Sequence, residues 1–374
     1  MSVSLPILSA IDSPATLLKR VGIFAPAESG ARRERLRDRF GRAITDLRVS
    51  ITDRCNYRCV YCRTGNEGAL YSELPIEDYL RMVRQFVELG VEKIRLTGGE
   101  PLLRRGLLEI VAELARMRSA YLPDGAAAGE GEGLPLDIAV TTNGHLLEGL
   151  AQPLKDAGLS RVTVSMDAVD AETFAAITRV PRSFDRVLAG VRAAKAAGLG
   201  PVKVNCVLLR GFNDGQIEPF AEFSRREGVI VRFIEWMPLE EDRSWKREMV
   251  VTMDEIVERL HRFRPVVDLA PNSSSETARR FTFDDGVGEI GIVAPVSRPF
   301  CGHCSRVRLT SDGKIRTCLF SQSDHDLYGM IARGGTDDEI RAYIRSVVMK
   351  KEARHHIGEP GFEKPSRSMV HIGG

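Results

Sequence analysis

The chain has 374 residues, of which 43% are hydrophobic and 28% charged, with a formal net charge of +2. That length allows one barrel-sized domain plus a smaller one, in an ordinary soluble composition. Such a balance sets up no global field toward nucleic acid or a membrane surface. No apolar run reaches the roughly 20 residues of a membrane span. The opening MSVSLPILSAIDSP lacks the basic region of a secretory signal. Six of the seven cysteines fall in two groups. That usage points to a reducing, cytoplasmic compartment and to metal chemistry.

Residues 1–43 read as a peripheral extension. Its ARRERLRDR stretch mixes both signs, as a solvated helix or mobile arm does, and the acids argue against a nucleic-acid arm. From Leu47 the pattern alternates strand and helix. Leu47 to Ile51 is a short strand, and a loop carrying Cys55, Cys59 and Cys62 follows it. Four thiolates close a cubane iron–sulfur cluster. Three leave one iron without a protein ligand, and an open metal position is where a small molecule can react. Zinc usually shows paired C-x2-C or Cys/His spacing, so it fits this loop poorly.

Helical spacing continues from Pro75 to Leu89 and from Leu103 to Met117, with a strand at Lys93 to Thr97 between them. Residues 122–135 are Gly/Ala-rich and read as a surface insertion. Strands are then expected at Asp137 to Thr141, Arg161 to Ser165, Val202 to Leu209 and Val229 to Trp236. Helices are expected at Ser183 to Ala197 and Gln216 to Glu227. About six βα units of this length imply a parallel sheet with outer helices, and a site at the C-terminal ends of the strands. The expected organisation is an extension at 1–43, an α/β partial barrel at 44–270 and an α+β C-terminal domain at 271–374.

The C-terminal part begins at the linker-like PNSSS and carries Cys301, Cys304 and Cys318. The sequence from Arg306 to Cys318 reads as a hairpin turning at Asp312-Gly313, which folds Cys318 back toward the C-x2-C pair. By spacing alone, zinc, with His303 as a possible fourth ligand, and an iron–sulfur cluster are nearly even here. Thr336 to Glu339 is a capping box for a late helix ending near Lys351.

C-x3-C-x2-C with Tyr61 before its last cysteine resembles the radical S-adenosylmethionine (SAM) signature. The ordered motifs LRVSITDRCNYRCVYC, KIRLTGGEPLLRR, TTNG, VSMDA, KVN, RFIEWM, SRVRLTSDGKIRTCLF and the terminal Gly-Gly resemble the GTP 3',8-cyclases of molybdenum cofactor synthesis. The resemblance runs from about residue 40 to the end. It implies two [4Fe-4S] clusters, one on Cys55, Cys59 and Cys62 and one on Cys301, Cys304 and Cys318, with SAM on the open iron of the first. It further implies GTP as substrate, cyclic pyranopterin monophosphate synthase as the next enzyme, and a low-potential electron donor such as flavodoxin or ferredoxin. It allows a homodimer, with no nucleic-acid or membrane partner.

Strand alternation turns Lys93, Arg95 and Thr97 to one face, and Lys203 and Asn205 to another such face, with Cys206 left to core packing. Arg306 and Arg308 likewise share a side. A cation aimed into a barrel must be paired or serve a ligand. By resemblance, Arg48, Lys93, Arg95, Thr141, Lys203, Arg306, Val307 and Arg308 contact GTP. Tyr61, Gly99, Ser165 and Met237 contact SAM. Arg306, Arg308 and the tail Gly373 and Gly374 act in catalysis, and the two arginines help quench the intermediate radical. Several converging cations suit a triphosphate of about four negative charges, since each charge-assisted hydrogen bond contributes roughly 1.5–3 kcal/mol. Arg63-Thr64 departs from the family's Met-Pro-like pair and leaves that loop's conformation open. Two rival readings are a radical SAM enzyme acting on a peptide and a zinc-stabilised binding module.

Overall fold

Six parallel strands and their crossovers follow from the alternation. The structure, a computed structural model, describes residues 35–62, 69–121, 133–240, 242 and 244–373. The described chain begins with β1 (Asp46–Ser50), α1 (Ile76–Glu88), β2 (Lys93–Thr97) and α2 (Leu107–Arg116). Two short strands follow, β3 (Arg118–Ser119) and β4 (Leu134–Pro135), and then β5 (Asp137–Thr142). The barrel continues through α3 (Leu147–Asp156), β6 (Arg161–Ser165), α4 (Ala171–Thr178), α5 (Phe184–Ala196), β7 (Lys203–Leu208), α6 (Ile217–Glu227) and β8 (Ile230–Glu235).

Alternate residues of the strands fill the core layer. Ile94 and Leu96, Ile138 and Val140, Val204 and Cys206, and Val231 and Phe233 all point into the layer under the helices. Helix α1 closes that layer with Tyr79, Met82, Val83 and Phe86 on one stripe. Cys206 lies fully in this core, as its strand position requires.

One expected helix starts later than its periodicity suggests. Pro101–Leu103 forms a single 3-10 turn capped by the Glu100 side chain, and α2 begins only at Leu107. A proline and a carboxylate acceptor at its start favour a short capped turn, so the expected Leu103 start fails. Residues 134 and 135 of the expected surface insertion pair with β3 as β4, while 122–132 lie outside the described residues, as do 1–34 and Arg63-Thr64.

After β8 the chain adds α7 (Met253–Phe263) and β9 (Val266–Leu269), and the C-terminal part adds β10 (Arg279–Phe283), β11 (Glu289–Val293), β12 (Arg306–Leu309), β13 (Lys314–Arg316) and β14 (His325–Asp326). It ends in α8 (Tyr328–Ala332), α9 (Asp337–Val348) and α10 (Met369–Ile372). These strands extend the barrel sheet at both edges. β11 joins β8 in parallel, and β12 joins β1 in parallel. Among the described residues one twelve-stranded sheet results, in the order β14-β13-β12-β1-β2-β5-β6-β7-β8-β11-β10-β9. The expected Asp-Gly hairpin is present as β12 and β13, and its first strand also lines the barrel. Thr336 and Glu339 make the expected capping box of α9. Among the described residues, no helix is long and apolar enough to cross a membrane.

Candidate active site

The first cysteine loop leaves the C-terminal end of β1 and is tied down along its length. Buried Asp53 accepts the backbone N–H groups of Leu70 at 2.6 Å and Tyr71 at 3.0 Å, which brings the two ends of the loop together. Arg58 and Val60 donate their N–H groups to the carbonyls of Thr178 at 3.2 Å and Ile177 at 3.0 Å, the last residues of α4. A tight turn brings the Cys62 N–H to the Cys59 carbonyl at 3.0 Å. The Tyr61 hydroxyl donates to Asp167 at 2.8 Å, and the same carboxylate accepts the Val207 N–H at 2.9 Å.

Burial raises the Cys59 thiol well above its ordinary pKa, and Asp167, Cys62 and Cys55 push the same way. Three thiols thus crowd one another at one place. Bound cations would relieve that crowding, since a coordinating thiol is deprotonated outright. The donor set therefore fits an iron–sulfur cluster with one iron left open.

The Gly98-Gly99-Glu100-Pro101 turn runs across this loop at backbone contact. A Cβ on Gly98, where φ is +149°, would stand 2.2 Å from the Thr52 carbonyl oxygen, and one on Gly99 would stand 2.4 Å from that of Arg54. Only glycine lets the two backbones meet. Glu100 then holds the next loop, accepting from Thr142 Oγ1 at 2.6 Å and the Asn143 N–H at 2.7 Å. Burial lifts its pKa to about 7 despite these donors. Tyr61, Gly99 and Ser165 therefore border one rim, at the C-terminal ends of β1, β2 and β6. Met237 lies just past β8, packed against the small apolar cluster that contains Leu239 and Ile372.

The second triad lies at the other end of the strands. Cys304 precedes β12, which runs parallel to β1, while Cys55 follows β1. A five-residue strand separates the two levels, about 17 Å at ~3.3 Å per residue. Burial opposes the Cys304 thiolate, but Arg306 and Lys351 outweigh it and lower the pKa to about 6. Arg306 Nη2 donates to Cys304 Sγ at 3.4 Å, and Lys351 Nζ donates to the Arg306 carbonyl at 2.9 Å. Cys318 lies close enough to feel the charge of Cys304. Cys304 is thus biased toward thiolate, the form that ligates metal, while burial raises the Cys318 thiol. Among the described residues, no three His, Cys, Asp or Glu side chains converge on a single ion. A cubane, whose thiolates bind separate irons, asks for wider spacing.

Between the two levels the strand register lines up the cations. Arg308, Arg48 and Arg95 are direct partners on β12, β1 and β2, three guanidiniums abreast at ~4.8 Å strand spacing with no acid between them. The row below alternates in sign, as Arg306, Asp46, Lys93 and Asp137. Burial, then Arg306 and Arg95, hold the Arg48 pKa down at about 9. Burial, then Arg48 and Arg306, hold Arg308 well below the usual range. Arg95 Nη1 donates to Thr141 Oγ1 at 3.2 Å and Thr163 Oγ1 at 3.3 Å, so both hydroxyls lie on the side of the sheet that carries the guanidinium row. Lys203 stands beside Thr163 in register, and Arg232 beside Asn205.

Val307 departs from its expected place. Its side chain is 1% exposed in the core, opposite the face of its two arginine neighbours. Strand alternation allows only its backbone to meet the chamber.

The sequence reading missed Arg232, Thr163, Lys351 and Asp167. Arg232 could have been found, because it alternates with buried Val231 and Phe233. Lys351 and Asp167 act through contacts distant in sequence and carry no local signal.

The C-terminal tail enters the chamber. Arg308 Nη1 donates to the Gly373 carbonyl. A Cβ on Gly373, where φ is +76°, would stand 2.7 Å from Thr97 Cγ2 and 3.0 Å from Ser50 Cβ. Gly374 lies outside the described residues. The tail is pinned by Arg367, which pairs with Asp312 at 2.8 Å and Asp324 at 2.5 Å. Its guanidinium also lies 5.1 Å from the centroid of the Tyr71 ring. Lys364 adds a bond to buried Glu240 at 2.9 Å. Replacing Arg367 by alanine is expected to free the tail while leaving the barrel folded. Carboxypeptidase should then trim the chain faster at unchanged melting temperature, and equal trimming of both proteins would refute the latch.

Burial, then Arg232, Arg161 and Arg95, lower the Lys203 pKa to about 8. The unfolded chain holds that proton to about 10.5, so the charged lysine costs stability fully below about pH 8, and the cost fades between pH 8 and 10.5 and is gone above that. Lys203→Met should therefore melt higher than the parent at pH 7, with the gap closing in alkali. A lower melting point at pH 7 would contradict this.

A parallel α/β barrel with an open-sited cysteine triad at its C-terminal rim defines a radical SAM protein, and residues 49–224 match the Radical SAM superfamily model. Such a protein uses SAM and an iron–sulfur cluster. Residues 229–357 match the Molybdenum Cofactor Synthesis C model. The chain is 42% identical over 375 residues to a GTP 3',8-cyclase of Corynebacterium glutamicum, covering 98% of this chain and 95% of the relative. It is 42% identical to one of Acidothermus cellulolyticus, covering 81% of each, and 40% identical to one of Rhodopirellula baltica, covering 90% and 91%. The chain belongs to the GTP 3',8-cyclase family. Among solved structures, Streptococcus suis SuiB bound to S-adenosylmethionine shares the fold, with a TM-score of 0.58 at 13% identity over 86% of this chain and 76% of that one.

Proposed function

We propose that the chain converts GTP to (8S)-3',8-cyclo-7,8-dihydroguanosine 5'-triphosphate, joining ribose C3' to guanine C8 in an early step of molybdopterin synthesis. The observation that carries this reading is the unbroken row Arg308, Arg48 and Arg95 across three adjacent strands. After burial, Arg306 and Arg95 hold the Arg48 pKa down, and Arg48 and Arg306 that of Arg308; Asp46 offsets the first only in part, and a triphosphate would meet the whole row at once. A neutral peptide would leave them uncompensated. Lys93, Lys203 and Arg306 extend the same field, and Thr141 orients Arg95.

The two cysteine trios each hold a [4Fe-4S] cluster in this reading. When bound at the first, SAM supplies a 5'-deoxyadenosyl radical. The protein's task is to place the ribose under that radical and keep water out. Tyr61, Gly99, Ser165 and Met237 frame the SAM end. Cys301, Cys304 and Cys318 carry the guanine end, about one strand length away. Arg308 joins the phosphate row to the Gly373 tail, so substrate charge and tail position are coupled. The product passes to a cyclic pyranopterin monophosphate synthase in the cytoplasm, and a flavodoxin or ferredoxin supplies the electron. Anaerobic incubation of the reconstituted protein with dithionite, SAM and GTP tests the whole. Absence of both 5'-deoxyadenosine and a cyclised nucleotide would refute it.

A further inference from the structure

The first cysteine loop and the segment beside it carry exposed arginines. Arg54 and Arg58 on the loop are exposed, as are Arg179, Arg182 and Arg186 on the segment beside it. The chain brings these stretches together by backbone bonds. Arg58 and Val60, the two neighbours of Cys59, bond to Thr178 and Ile177 at 3.2 and 3.0 Å, which sets Arg179 next to Arg58. Tyr57 Oη bonds His145 Nδ1 at 3.0 Å, and His145 Nε2 takes a 3.4 Å contact from Arg186. The Tyr57 hydroxyl also senses Ser183, the neighbour of Arg182. Among the described residues, Arg54, Arg179 and Arg182 make no ion pair. Glu172 and Asp185 are the exposed acids of the α4–α5 segment.

Arg179 and Arg182 have a second peculiarity. They are the only non-glycine residues among the described ones with positive φ, at 58° and 57°. Arg179 closes α4 in the left-handed position where glycine is the least strained choice. At both strained positions bordering the cysteine loop, the chain places a long exposed cation. Strain at an observed outlier is a pointer to function.

The inner side of this loop faces the chamber rim, where SAM and substrate must sit. An external electron therefore has to arrive from the outer side, over Cys59. We propose that the rim formed by Arg54, Arg58, Arg179, Arg182 and Arg186 is the docking surface for an acidic one-electron carrier protein of the flavodoxin or ferredoxin class. The reduced carrier passes one electron to the oxidised cluster and leaves oxidised by one electron. The inference rests on the radical SAM reading, since it needs a cluster under the loop. Opposite charge on the two faces would steer the encounter and make its rate fall with salt.

The test uses the full chain with both clusters reconstituted, in stopped flow against the hydroquinone of an acidic flavodoxin and, separately, against dithionite. The double variant Arg179→Gly/Arg182→Gly removes two charges while relieving both backbone positions, so its fold is retained. A charge-reversed pair, Arg179→Glu/Arg182→Glu, extends the series. The carrier-driven rate is expected to fall about tenfold or more at low ionic strength, with loss of salt dependence, within the 10- to 1000-fold range of electrostatic steering. The dithionite-driven rate and dithionite-driven 5'-deoxyadenosine formation should stay unchanged. An unchanged carrier rate with the parent's salt slope overturns the proposal, as does an equal fall with both reductants. Binding of single-stranded nucleic acid that the variants lose, with carrier kinetics intact, also overturns it. Failure of the parent protein to form 5'-deoxyadenosine with dithionite would instead sink the radical SAM reading.

Discussion

Replacing Cys59 with serine is expected to abolish 5'-deoxyadenosine formation, whereas replacing Cys304 is expected to abolish only the cyclised nucleotide. Each variant should lose about four of the irons of a doubly loaded protein, one cubane's worth. The asymmetry follows from position. Cys59 sits at the C-terminal end of β1 with Cys55 and Cys62, bordered by the Gly98-Gly99 turn, the end at which SAM is proposed to bind. Cys304 sits a strand length away beneath Arg306 and has no contact with that rim. Dithionite-driven SAM cleavage should therefore survive in Cys304→Ser, measured as 5'-deoxyadenosine by chromatography. Loss of SAM cleavage in both variants to the same degree would mean that the trios form one site. Zinc in either, detected by elemental analysis, would restore the binding-module reading.

The second large effect is expected at Arg308. Its guanidinium is the inner end of the cation row and also holds the Gly373 carbonyl. Arg308→Ala would remove the proposed charge-assisted bond to phosphate, roughly 1.5–3 kcal/mol, or about 10- to 150-fold in GTP affinity. It also releases the tail, so turnover should fall beyond the loss of binding. Saturating GTP should not restore the parent rate. Arg308→Lys should rescue little, because an ammonium cannot span a carbonyl and a phosphate as a planar fork can. Isothermal titration with GTP, paired with product formation at saturation, separates the two losses. A variant that recovers full turnover at high GTP would show that the tail contact is idle. The gain in apo stability should point the other way, since removing one of three crowded buried cations relieves their repulsion.

Much of this site was visible in the chain itself. Both cysteine trios, the six strand-helix units and the lumenal face of Lys93, Arg95 and Lys203 all follow from spacing and alternation. These are local properties, fixed by the period of a strand or the length of a turn, so the tertiary context had only to preserve them. Val307 shows the limit of carrying a motif over whole. Its neighbours face the chamber, and its own side chain cannot.

What the tertiary structure alone decided is which strands become neighbours. Nothing in the stretch from Arg306 to Leu309 says that it will lie in parallel beside Asp46 to Ser50, more than 250 residues earlier in the chain. That pairing puts Arg308 abreast of Arg48 and Arg95 and sets the two trios at opposite ends of one strand direction. It also lets Lys351 bias Cys304 toward thiolate and Arg367 pin the tail. Sequence determined what each segment presents, because side-chain direction is a backbone period. The fold determined what those side chains meet, because backbone hydrogen bonds between strands are blind to the residues they join.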